Sequence, residues 1–308
     1  MYIKFKISVI TILLTFLSTY LLAGENKILF KVNNKIVTTY DIYEETKYLS
    51  FLNKELKNFD KRKIYEISKN SIIKDIIKEN ELEKFYKEIK LDEVFLEKFL
   101  IDYFKKFNLK TIEDLKKKLS KSDLKFEYVV KKITIQLLWN ELIFNKFSKK
   151  VKINKNLIKD ELSKKKIQNE FLISEIVFNV NKKNELDTKY KIIQNEIKNK
   201  NFSSAAIIHS TSETSVNGGS IGWIKENSLS TNIRNALRNI NVGEITNPIK
   251  IPGGFIILKI EDKREIILDL NTNKEIEIIV KNKTNEQLKQ FSNIYLNKIK
   301  KDQSISEL

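Results

Sequence analysis

At residue 170 the spacing of apolar side chains changes, and no other feature constrains the fold as strongly. From 61 to 165 apolar residues recur three and four apart with no glycine or proline between them, the pattern of helices that each bury one face. Helices are expected over Ile64 to Ile89, Glu93 to Phe107, Thr111 to Leu119 and Ser122 to about Phe147, then over a short element from Val151 to Leu162 capped by Asn154. The stripe Leu124, Tyr128, Ile135, Leu138, Leu142 gives the longest of them a core-facing side. Ahead of these, residues 28 to 37 make two short strands around Asn33-Asn34. Thr38 and Asp41 then stand at capping-box spacing before a helix carrying Ile42, Leu49, Leu52, Leu56 and Phe59.

Beyond 170 the elements are short and mixed. Phe171 to Val180 is strand-like, Leu186 to Lys198 and Phe202 to Ile208 are helical, and a Ser/Thr/Gly loop fills 212 to 222. Ser230 to Ile240 is another helix, and Glu244 to Ile251 and Gly254 to Ile260 are strands joined through Pro252-Gly253. Thr284 to Lys300, with Leu288, Phe291, Tyr295 and Ile299, forms a final amphipathic helix. A hydrophobic share of 41% with only seven glycines and two prolines suits a folded, helix-rich chain.

The chemistry open to this chain is narrow. It has no cysteine and one histidine, His209, which excludes zinc-thiolate sites, iron–sulfur clusters, thiol nucleophiles and every two-histidine metal motif. No metal and no cofactor are expected. No Gly-x-Ser-x-Gly or Ser-x-x-Lys site stands in a suitable setting for a hydrolase. The net charge of +17 comes from lysines spread thinly, in runs such as Lys116-Lys117-Lys118 that suit solvated helix faces, so nucleic acid is not the expected partner.

Residues 1 to 23 have the layout of a secretory signal: Lys4 and Lys6, an apolar stretch from Ile7 to Leu22, then Ala23 before Glu25-Asn26-Lys27. Cleavage would start the mature chain near Gly24 and place it outside the cytoplasm, away from ATP. The rival reading is an uncleaved anchor helix, which usually needs about 20 apolar residues.

Three segments point to a family: Gly218-Gly219-Ser220-Ile221-Gly222-Trp223, Val242-Gly243-Glu244-Ile245-Thr246-Asn247-Pro248-Ile249, and Pro252-Gly253-Gly254-Phe255-Ile256-Ile257-Leu258-Lys259. Together with the Phe202-Ser203-Ser204-Ala205-Ala206 helix and the Ser174-Glu175-Ile176-Val177 strand, they resemble the parvulin-type (PpiC-type) peptidyl-prolyl cis-trans isomerase domain. The version found in SurA-like periplasmic chaperones is the nearest in kind. Val32-Asn33-Asn34-Lys35-Ile36-Val37-Thr38 leading into Tyr40-Asp41-Ile42 resembles the amino-terminal domain of the same family, carried by order more than by fixed residues.

The resemblance implies an α+β multidomain chain: a signal at 1–23, a mainly helical domain at 24–168, a small α/β parvulin domain at 169–265, and a carboxy-terminal segment at 266–308 whose helix packs back on the helical domain. It also implies a proline slot with apolar walls at Ile221, Leu229 and Ile233, and Ile256 as a further substrate-binding position. The loop glycines would pass the backbone close to that groove, with Gly219 and Gly222 framing Ile221. Active members place one histidine in the first strand, where this chain has Glu175 or its neighbour Ser174, and another in the last strand, where it has Ile256. The Cys or Asp before the glycine loop falls on Ser212. Glu175 and Ser212 are therefore degenerate catalytic positions, and His209 replaces neither lost imidazole.

The expected function is a periplasmic chaperone that binds unfolded exported polypeptides, outer-membrane proteins among them, without ATP or nucleic acid, and with a parvulin domain that isomerises weakly or not at all. After signal cleavage it would not be an integral membrane protein. Two alternatives stay open: a competent peptidyl-prolyl isomerase, and a basic protein for acidic polymers or lipid head groups.

Overall fold

The computed structural model describes residues 26–164, 167–180, 182–267 and 272–307. The export-signal segment lies outside them. Among the described residues no helix is long and apolar enough to cross a membrane.

Strands β1 (Ile28–Val32) and β2 (Lys35–Thr38) pair antiparallel across Asn33-Asn34, where Asn33 takes φ 52°, a left-handed conformation that asparagine tolerates. Helix α1 (Thr39–Leu52) follows at once with its capping box formed: Thr38 Oγ1 accepts from the Asp41 N–H, and the Asp41 carboxylate accepts from the Thr38 N–H at 2.7 Å.

The helices expected next are present with shifted ends. Helix α2 (Lys61–Leu82) stops seven residues short of the expected Ile89, because the Leu82 carbonyl accepts from both Phe85 and Tyr86 N–H and closes the last turn. Helix α3 (Glu93–Tyr103) is capped by Asp92 and α4 (Ile112–Ser120) by Thr111. Helix α5 (Phe126–Phe147) begins four residues after Ser122. Asp123 takes φ 51° and the Leu124 N–H turns back to Leu119, so the chain is still leaving α4 there. Helix α6 (Lys155–Lys164) is capped by Asn154, whose side chain accepts from the N–H groups of Asn156 and Leu157.

The second region is a four-stranded antiparallel sheet ordered β4-β3-β6-β5. Its strands are β3 (Ile167–Phe178), β4 (Ser220–Lys225), β5 (Ile249–Ile251) and β6 (Gly254–Ile267), with helices α7 (Leu186–Asn199), α8 (Phe202–His209) and α9 (Thr231–Arg238). The long central pair runs from Ile167↔Ile267 to Phe178↔Phe255. The strand expected from Glu244 is regular only over Ile249–Ile251, with an isolated bridge at Ile245↔Lys259, and Pro248 has no N–H to extend the ladder. Alternation along β3 sends Phe171, Ile173 and Val177 to one face, against Leu229, Ile233 and Leu237. Ile176 and Phe178 go to the other, against Ile193, Phe202, Ala205 and Ala206.

Helix α10 (Thr272–Lys300) spans 29 residues and starts twelve before the expected Thr284. Its carboxy-terminal half packs back on the helical region. Trp139, fully buried, donates from Nε1 to Ser292 Oγ at 2.8 Å, Phe291 stacks on Phe147 with ring centres 5.2 Å apart, and Leu296 and Ile299 join the core of Phe30, Ile77, Leu82 and Leu138. Strand β7 (Ile305–Glu307) then pairs with β1, so the ends of the described chain meet in one sheet ordered β2-β1-β7.

Candidate functional site

The glycine loop sets the site. Gly218, Gly219 and Gly222 all have positive φ, at 68°, 81° and 97°. Gly218 and Gly219 are both confined by space: a Cβ at Gly218 would overlap the Ser203 side chain, and one at Gly219 would overlap the Glu175 carbonyl and stand 3.0 Å from Ala206 Cβ. The Gly219 carbonyl accepts the Glu175 N–H at 2.8 Å, so its tight approach fastens the loop to β3. The close approach expected toward the groove is thus made to β3 and α8, while a Cβ at Gly222 would meet nothing within 4 Å. Trp223, in β4, is capped by the Arg264 guanidinium at 4.1 Å.

Glu175 and Ser212, 37 positions apart, are brought together. Ser212 Oγ donates to Glu175 Oε1 at 2.6 Å, and Thr214 Oγ1 donates to the same oxygen at 2.9 Å. Both Glu175 and Ser212 are buried. With their hydrogens directed to the carboxyl, neither hydroxyl is left to donate to a substrate amide. Thr214 escaped sequence reasoning, although it lies two residues past Ser212 in the turn that Ser212 caps. Ser174 is also buried and does not share this network.

In one apolar cluster Leu229, Ile233 and Ile256 are buried, and Ile221 packs against them half-buried. The four expected slot residues therefore share one cluster, together with Val177 and Leu258. The Leu229 carbonyl is held from two sides, by Lys283 Nζ at 3.0 Å and Arg234 Nη2 at 3.4 Å. Arg234 in turn pairs with Glu161 of α6 at 3.1 Å. Burial and the charge of Arg234 push the Lys283 ammonium below its usual pKa. Burial, reinforced by the Glu175 carboxyl, pushes Glu286 of α10 upward.

His209 ends α8, away from the slot cluster, with Nε2 buried and unpartnered. Burial, then the charges of Lys189 and Lys63, lower its pKa to about 4. Nearby, Glu213 reaches the helical region: the buried Lys78 donates to it at 2.9 Å and Lys74 donates to the Thr211 carbonyl at 3.3 Å. Lys78 and Lys74 hold Glu213 down at about 2 against the opposing effect of burial.

Residues 172–262 match the sequence profile of the PpiC-type peptidyl-prolyl isomerase, or rotamase, family. The sheet region is a PpiC-type domain. The chain is similar to Chaperone SurA of Pseudomonas putida, 49% identical over 63 residues, which are 20% of this chain and 15% of that protein. Similarity to Chaperone SurA of Idiomarina loihiensis is 30% over 102 residues, 30% of this chain and 24% of that protein. The matches thus span less than a quarter of these relatives' length. Among solved structures, the chain is similar to one described with two structurally related SurA-like chaperones of Campylobacter jejuni, at 15% identity and TM-score 0.40, covering 92% of this chain and 99% of that one. Within this domain, the expected positions Glu175 and Ser212 share a hydrogen-bond network with Thr214, and Ile256 lies in the apolar cluster.

Proposed function

We propose that this chain is a SurA-like periplasmic chaperone that holds unfolded exported polypeptides, outer-membrane proteins among them, and that its parvulin domain binds chain far better than it isomerises it. The observation that supports this most directly is the pairing of an apolar cluster with a carboxyl–hydroxyl group that has no imidazole in it. Rotation about an X-Pro bond faces a barrier of about 18–20 kcal/mol. An apolar site lowers it by desolvating the amide, but here the hydroxyl hydrogens that could assist are turned to Glu175. The domain limits at 168/169 and 265/266 are part of this reading.

The helical region offers a binding surface of its own. A concavity of about 440 Å³ is lined by Tyr40, Tyr43 and Phe126 with Lys47, Lys116 and Lys125. Tyr40 and Tyr43 are 42% and 52% exposed, and the lysine ammonium groups lie over the aromatic rings, as Lys47 does over Tyr43 at 4.4 Å. Such a surface suits aromatic side chains of an extended client, which it takes up without nucleotide.

The mature chain is expected to suppress aggregation of a denatured outer-membrane protein at stoichiometric concentration without ATP. Tyr40→Ala with Tyr43→Ala should weaken that effect several-fold. Absence of any suppression by the unmodified chain would overturn the chaperone reading. In a protease-coupled proline assay the rate should exceed the uncatalysed one only slightly. Robust turnover reduced by Ile221→Ala would favour the competent isomerase instead.

A further inference from the structure

Tyr40, Tyr43, Glu44 and Lys47 stand at positions i, i+3, i+4 and i+7 of α1 and so share one face of that helix. Together with the turn from Asp123 to Phe126 they line the concavity of the helical region. Glu44 differs from the rest. It is 2% exposed, its Oε1 pairs with Lys47 Nζ at 2.6 Å, and its Oε2 is shut off from water with no hydrogen-bond partner among the described residues. A buried carboxylate oxygen without a donor is costly, so its presence calls for a reason.

The next residue along the helix shows what would satisfy it. Glu45 is buried too, and Lys132 Nζ donates to its two oxygens at 2.7 and 2.6 Å. Tyr128 donates its phenol hydrogen to Glu45 Oε2 at 2.5 Å, and the Lys132 ammonium lies over the Tyr128 ring at 5.9 Å. Tyr295 likewise donates to the buried Glu81. At Glu44 all but one of these parts are in place: a buried carboxylate, a lysine on one oxygen, and that lysine over a tyrosine ring, with Lys47 4.4 Å from the centre of Tyr43. The Tyr43 phenol is turned away, to Asp123 Oδ2 at 3.0 Å, which leaves Glu44 Oε2 without a donor.

We infer that the concavity is a tyrosine-selective subsite, in which a client's tyrosine ring enters among Tyr40, Tyr43 and Phe126 and donates its phenol hydrogen to Glu44 Oε2. The rim consists of exposed side chains, Tyr40, Tyr43, Lys116 and Lys125, which turn about their own bonds, so the ring reaches the buried oxygen without displacement of a helix. Phenylalanine fills the same space but leaves that oxygen unpaired. A site built to bond a hydroxyl rejects the analogue lacking it far more strongly than the loss of one atom's contacts would. The inference rests on the reading of this concavity as a client site and adds which side chain it takes.

Three fluorescent peptides that differ at one position, tyrosine, phenylalanine or O-methyltyrosine, test it by anisotropy on the mature chain. The tyrosine peptide should bind about tenfold tighter than either other, because O-methyltyrosine keeps the ring and the oxygen but has no hydrogen to donate. Glu44→Met removes the acceptor while Lys47 keeps Asp123 Oδ2 at 3.2 Å, and should bring the tyrosine peptide to within about twofold of the phenylalanine peptide. Equal affinity of the unmodified chain for the three peptides overturns the inference whether or not Glu44→Met folds, and so does a tyrosine preference that survives Glu44→Met. Aggregation of a denatured outer-membrane protein, followed with the same preparation, separates the two readings. Suppression without a tyrosine preference sinks the subsite alone, whereas no suppression and no peptide binding sinks the client-site reading and the subsite with it.

Discussion

Ser212 and Thr214 give Glu175 two hydroxyl partners in a buried setting, so the carboxyl is part of the domain's internal support. Ser212→Ala removes the shorter contact and leaves a buried oxygen short of a donor, at a cost of about 1–3 kcal/mol. Urea unfolding should show that loss with no fall in client holding, if Glu175 supports the domain and does no chemistry. Gly219 is under a stricter constraint. With φ at 81° and no space for a Cβ beside Glu175 and Ala206, Gly219→Ala should destabilise the chain by about 1–3 kcal/mol, again read by urea unfolding. Gly222→Ala should cost less, because there only the dihedral is unfavourable.

At the scale of elements, α10 touches both regions of the chain. Trp139 anchors it through a hydrogen bond to Ser292 and a stack on Tyr295 with ring centres 5.8 Å apart. Trp139→Ala should cost about 3–5 kcal/mol, the usual penalty for removing a buried indole, and thermal unfolding should show it. Most of the helix ends were legible in local chemistry, as with the caps at Thr38, Thr111 and Asn154. The first three turns of α10 were not. Residues 273 to 283 mix isoleucine with charge in no clean stripe: Ile279 is fully buried, while Glu275, Asn282 and Lys283 make polar contacts to the parvulin domain. The late start of α5 was missed for a different reason: the apolar period runs on through Leu124, and only the left-handed Asp123 shows that the preceding helix is still ending there.

At the scale of the molecule, the parvulin domain meets the helical region a second time. Ile207 packs in the cluster of Leu52, Leu56 and Phe59, and Glu213 sits between Lys74 and Lys78. Three shifted groups gather at this junction. His209 is held at about 4 and Glu213 at about 2, both below their ordinary values, so each binds more protons in the unfolded chain over the interval between the two pKa values. Stability should therefore fall as pH drops from about 6.5 to about 4 through His209, and from about 4.5 to about 2 through Glu213. Lys74, lowered by burial and by Lys78 to about 8, works at the other end: stability should rise between about 8 and 10.5 as it sheds its proton in the folded state. Urea midpoints across pH would check this. His209→Gln should flatten the slope between 4 and 6.5, and Glu213→Gln the slope below 4.5.

The order of elements and the change of period at 170 follow from local spacing and turn chemistry, which depend on near neighbours in the chain, while the glycine loop and its partners Ile221, Leu229 and Ile233 were legible only through the family resemblance. That none of Glu175, Ser212 and Ile256 is a histidine is equally a matter of residue identity. That Ser212 and Thr214 share one oxygen of Glu175, that Glu213 bridges to Lys78, and that Lys283 of α10 reaches the Leu229 carbonyl were decided by tertiary packing. Each of these joins segments tens of residues apart, and no periodicity encodes which polar face will meet which once the cores have closed.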